Sequence, residues 1–118
     1  MSVRRVVAYA AGDALTASRD FYVEVLGMQV VMEDPVLDLQ SPDHPAAEVI
    51  IDAQERQGPQ PSFGIDVGET AAVDAVHDEA VRRGLQVVYP LTDEPWGVRR
   101  FFVEDPGGTI VNVLAHIR

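Results

Sequence analysis

The side chains able to do chemistry here are few in kind: three histidines, nineteen carboxylates and nine arginines, with no cysteine and no lysine. Thiolate nucleophiles, disulfides, cysteine-based zinc sites and lysine Schiff bases are excluded together. His44 stands in a Pro-flanked stretch, His77 follows Val73 and Val76 at helical spacing, and His116 closes the last apolar run. No Ser-His-Asp order, phosphate loop or glycine-rich dinucleotide fingerprint is recognisable. The remaining polar candidates suit binding better than catalysis. Ser62 and Asp66 alternate with Phe63, Ile65 and Val67, and Asn112 sits two residues before Leu114 in another alternating run. Trp96, the only Trp, lies between Pro95 and Gly97, where a stacking lid is a natural role. Arg99 and Arg100 fall on opposite faces of their strand, so only one of them can enter a site. A few polar groups within apolar and aromatic surface orient a small ligand while the buried area supplies most of the affinity.

The elements that position these residues repeat once. Gly27-Met28-Gln29-Val30-Val31 returns as Gly84-Leu85-Gln86-Val87-Val88, and Gly12-Asp13 returns as Gly68-Glu69, so half the chain is one unit. Ala72, Val73, Val76 and Ala80 recur at three- and four-residue steps and predict a helix over 69–83 that stops at Gly84. Leu15, Ser18, Phe21, Tyr22 and Val25 predict its counterpart, capped at Asp13 or Thr16 and stopped at Gly27. Strands are expected at 4–10, 28–33, 37–40 and 47–53, then at 62–67, 85–91, 98–104 and 109–116. The two prolines of Gln57-Gly58-Pro59-Gln60-Pro61 mark a linker, so the single domain 1–118 divides into units of about 3–56 and 62–118.

Charge narrows the partners. The formal net charge is −10, spread over both halves, which leaves no basic face for nucleic acid and repels anionic membranes. The same field favours a cationic ligand. The apolar run ending at Gly12 is too short for a spanning helix and lacks a signal-peptide cleavage pattern, and with the absence of cysteine this predicts a cytoplasmic protein.

Two βαβββ units with Asp105-Pro106-Gly107-Gly108 before the last strand resemble the vicinal-oxygen-chelate superfamily of glyoxalases, bleomycin-resistance proteins and dioxygenases. Asp20-Phe21-Tyr22, Val25-Leu26-Gly27-Met28, Trp96-Gly97 and Phe102-Val103-Glu104 carry the resemblance over nearly the whole chain. It implies an α+β fold whose two units curl a mixed sheet into a cup around a ligand, and a homodimer. It does not select a reaction, because the superfamily includes isomerases, lyases, dioxygenases and proteins that only bind drugs.

Enzymes of the superfamily hold one divalent metal with His, Gln or Glu from the first and last strands of each unit. The resemblance puts Val6, Ile51, Ser62 and Asn112 at those places, with Asp52 replacing Ile51, and Glu48 turning inward, if the strand slips by one residue. None of the four is a good metal ligand. A metal-independent small-molecule binding protein without cofactor is expected, holding a cationic or aromatic compound such as an antibiotic. Ser62, Asp66, Trp96, Arg100, Asn112 and Leu114 are its candidate ligand residues, with Val6, Ala8 and Ala10 lining the cup beside them. The alternative is a metal-dependent enzyme using Asp52, Asp66 and His116.

Overall fold

The computed structural model describes residues 1–54 and 56–118. The first unit comprises β1 (Arg5–Ala11), α1 (Leu15–Asp20) running into a π-turn (Phe21–Val25), β2 (Gln29–Met32), β3 (Leu37–Gln40) and β4 (Ala47–Asp52). The second comprises β5 (Phe63–Asp66), α2 (Thr70–Arg82), β6 (Val87–Glu94), β7 (Val98–Glu104) and β8 (Ile110–His116). All eight strands form one curled mixed sheet in the order β2-β3-β4-β1-β5-β8-β7-β6. Within each unit the first strand pairs parallel with the last, and the units join where β1 meets β5 antiparallel.

The repeated glycine motif has a backbone cause. Gly27 and Gly84 both sit at φ +72°, the left-handed residue that ends each helix and turns the chain into the next strand. The helices differ otherwise. α1 begins at Ala14 with no side-chain cap, so neither Asp13 nor Thr16 caps it. The π-turn inserts one residue, which rotates the rest of the helix by about 100° around its axis. Leu15 and Tyr22, seven residues apart, reach the core, whereas Phe21, Val25 and Leu26 are exposed.

Both helices lie on one side of the sheet. Beneath α2, Val73 and Ala80 pack with Val67, Phe101, Val103, Val113 and Ala115. Beneath α1, Leu15, Tyr22 and Met28 pack with Leu37, Leu39 and Ile51. Neither core includes Val6, Ala8 or Ala10, which share this outer face and stay exposed. Their expected inward orientation is thus reversed: Arg5 pairs with Asp66 and Val7 with Gly64, so Arg5, Val7 and Tyr9 face the concave side. On β4 the inward set is Glu48, Ile50 and Asp52, the register one residue from the Ile51 alignment, and Ile51 is buried in the first core. Among the described residues, no helix is long and apolar enough to cross a membrane.

Candidate functional site

Cross-strand register assembles the concave face row by row. Asp38 and Gln40 on β3 oppose Ile50 and Glu48 on β4. Gly64 and Asp66 on β5 oppose Asn112 and Leu114 on β8, which oppose Phe102 and Arg100 on β7. Asp38, Glu48, Asp66, Glu94 and Asn112, the buried polar and charged residues among those described, all stand on this face. The apolar cores occupy the other. Burying so many polar groups on one face is unfavourable unless each finds a partner, so the pairing pattern is informative.

Three clusters account for the pairing. In the first, Arg5 donates from Nε to Asp66 at 2.8 Å, from Nη1 to Glu48, and places Nη2 2.8 Å from His116 Nε2. Burial alone would lower the Arg5 pKa, but the bond to Asp66 and the charges of Glu48 and Asp66 outweigh it and raise it above its ordinary value. Gln40 also donates to Glu48, at 3.3 Å. Asp38 lies against Glu48 as well. Its carboxyl is pushed up to about 7, first by burial and then by its hydrogen bond with Glu48 and the charge there. Its Oδ1 has no partner among the described residues.

In the second cluster, Asn112 Nδ2 donates to Tyr9 Oη at 2.8 Å while Asn112 Oδ1 is buried without a partner among the described residues. Burial raises the Tyr9 pKa, so the phenol is the neutral form here. Tyr9 reaches Asn112 by lying across Gly64, where any Cβ would come within 2.5 Å of the Tyr9 hydroxyl and 3.0 Å of Leu114. The glycine serves a close approach, since its φ is unexceptional.

The third cluster is on the far side of the cup. Arg100 donates to Glu94 at 2.7 Å, and Glu94 also accepts from Tyr89 Oη at 2.9 Å. The same guanidinium lies 4.9–5.3 Å from the ring centres of Phe102, Trp96 and Tyr89. Trp96, in the turn between β6 and β7, is 63% exposed and touches this cluster at the rim.

The structure brings Asp66, Asn112, Leu114 and Arg100 side by side, with Ser62 at the head of β5 and Trp96 on the rim. Asp66 is not a free acid, since Oδ2 holds Arg5 and Oδ1 accepts the Gly68 N–H at 2.9 Å. Arg99 goes to the opposite face and pairs with Asp74 and Asp93. Arg5, Tyr9 and Asp38 are additions that sequence reasoning missed, while Glu48 stands inward in the register one residue from the Ile51 alignment. Alternation predicted two sets on β1, but the small apolar one looked like the pocket lining and the one with Arg5 looked like the outside.

A resident metal does not fit these residues. Of the four implied positions, Val6 and Ile51 face away, and Ser62 and Asn112 offer a hydroxyl and an amide. The inward neighbours of the two that face away are Arg5 and Val7 on β1 and Ile50 and Asp52 on β4, of which only Asp52 could ligate a metal, and it pairs with Arg56. The alternative trio is also separated. Asp52 pairs with Arg56 beside Ala11, six residues along β1 from Arg5 and Asp66, or about 20 Å. Among the described residues, no three His, Asp or Glu side chains are grouped to hold an ion.

Residues 7–113 match the family model of the Glyoxalase/Bleomycin resistance protein/Dioxygenase superfamily, and the chain belongs to that superfamily. Methylmalonyl-CoA epimerase from Mycobacterium tuberculosis is 19% identical, with 98% of this chain and 88% of that one covered at a TM-score of 0.72. An extradiol ring-cleaving dioxygenase from B. fuscum is 22% identical, with 99% and 34% covered at 0.72. A superfamily member from Vibrio splendidus 12B01 is 18% identical, with 97% and 99% covered at 0.63. These likenesses show the fold. A comparison with curated proteins gives no match.

Proposed function

We propose that this chain is a metal-independent protein that binds a small molecule on its concave face, between Ser62, Asn112, Leu114 and Arg100 and beneath Trp96. Asp66 belongs to this site through Arg5. The observation that carries the reading is the confinement of the buried polar residues to that face, with two acceptors, Asp38 Oδ1 and Asn112 Oδ1, unmatched among the described residues. Groups of this kind are normally satisfied, and a ligand with hydrogen-bond donors satisfies them. The aromatic rim of Tyr89, Trp96 and Phe102 and the net charge of −10 support an aromatic, cationic compound, such as an antibiotic or other natural product held out of circulation.

A homodimer, in the cytoplasm as the cysteine-free composition suggests, completes the reading. The exposed outer strip of Val6, Ala8 and Ala10 and the edge strands β2 and β6 support self-association. The test is a titration with aromatic cations, bleomycin among them, read by melting temperature and Trp96 emission. A compound that stabilises the protein while leaving Trp96 emission unchanged, and whose affinity survives Asn112→Ala, places the site elsewhere.

A catalytic reading has one observation in its favour, the Asp38 carboxyl pushed up to about 7, which suits a group exchanging protons near neutrality. Solvent deuterium entering the α-carbon of a bound carbonyl compound, and lost in Asp38→Asn, supports it. No exchange in the wild type counts against it.

A further inference from the structure

We infer that Tyr9 and Asn112 form an amide-recognition pair on the concave face, and that the ligand meets it with a carboxamide or lactam. The inference rests on the concave-face reading and names the chemical group that the face selects. Tyr9 comes from β1 and Asn112 from β8, with Gly64 on β5 between them in the sheet. Their shared bond leaves each with one hydrogen-bonding group to spare. With Asn112 Nδ2 donating to Tyr9 Oη, Asn112 Oδ1 is an acceptor and the Tyr9 O–H a donor, neither with a partner among the described residues. Turning the amide over exchanges the labels and keeps the pattern: Oδ1 then accepts from the phenol, and the spare groups are an Nδ2 donor and a phenol lone pair. In either orientation one donor stands beside one acceptor. The group that complements both at once is itself an amide edge with its N–H and C=O on the same side. A primary carboxamide and a lactam have that edge, whereas a carboxylate or an ester has acceptors only and an ammonium donors only.

Burial decides how much the match matters. Asn112 is 2% exposed, so its spare atom is shut off from water and gains a full hydrogen bond when a ligand supplies one. Tyr9 is only half-buried and rests on Gly64, which has no side chain to hold the ring in place, so the phenol is the member of the pair able to shift and admit the ligand. Burial also raises the Tyr9 pKa, which keeps the phenol protonated at neutral pH. Phe102 stands opposite Asn112 on β7 and stacks on Tyr89 with ring centres 4.6 Å apart, so a planar group at the pair has an aromatic wall beside it.

The experiment compares two aromatic cations that differ at one group, the N-methylpyridinium ions bearing a meta carboxamide or a meta methyl ester, by isothermal calorimetry. The carboxamide should bind at least about tenfold more tightly, because the ester sets an oxygen lone pair against the spare acceptor. Asn112→Ala should abolish the preference. Tyr9→Phe keeps the ring over Gly64 and removes only the hydroxyl, and it should lose most of the preference while leaving the affinity for the ester unchanged. Should Asn112→Ala not fold, Tyr9→Phe decides alone. Equal affinities for the two ions, no binding of the carboxamide, or a preference that survives either substitution overturns the inference. Equal affinities that Trp96→Ala weakens alike leave the concave-face reading standing, so the two failures are distinct.

Discussion

Asp38 is the residue whose behaviour is set most directly by its surroundings. Its carboxyl titrates near 7 in the folded chain against about 3.8 ordinarily, so the folded state binds the extra proton between those values. Stability from this group is complete below pH 4 and is lost as pH rises through 7, by at most about 4 kcal/mol. Asp38→Asn removes that dependence. Its melting temperature relative to wild type should climb from pH 5 to pH 8; a constant gap would mean that Asp38 is ionised throughout. Trp96→Ala should leave melting unchanged and weaken ligand binding about tenfold, read by calorimetry because the variant has lost the only Trp. Inward residues were legible wherever a helix covers the other face: Ser62, Gly64 and Asp66 oppose the apolar set under α2, as do Asn112 and Leu114. On β1 no helix covers either set, so the alternation carried no sign, and Arg5 and Tyr9 were hidden.

At the scale of elements, the close crossing of β1 over β5 is the tightest constraint. Gly64→Ala puts a methyl group where the Tyr9 hydroxyl lies, and the ring must leave Asn112. The variant should lose about 1–3 kcal/mol of stability, the range for overpacking, and should bind ligand more weakly. Unchanged chemical denaturation would show that Tyr9 moves freely. The order of elements was readable because the motif at Gly27 recurs at Gly84, each a helix end that only a left-handed residue completes. The π-turn was not readable, because Phe21–Val25 has an ordinary helical composition and the widening is a backbone choice. Its effect is the exposed set Phe21, Val25 and Leu26, of which periodicity had placed Phe21 and Val25 inside.

For the molecule as a whole, the outer strip on β1 and the open cup define the expected assembly. Val6 is 48% exposed at the centre of the sheet, and Val6→Glu should convert a dimer to a monomer without lowering its secondary-structure content. Sedimentation of the wild type as a 12.9 kDa species at micromolar concentration would contradict self-association. Net charge was fully legible and bounds the partners, whereas the identity of the ligand is not written in a face of two amides, two arginine–carboxylate clusters and aromatic rings. The proposed metal-independent binding is decided by titrating the protein with an aromatic cation while monitoring Trp96 emission, once in excess chelator and once in excess zinc. Quenching with the same Kd in both is expected; quenching abolished by chelator and restored by zinc would overturn the proposal.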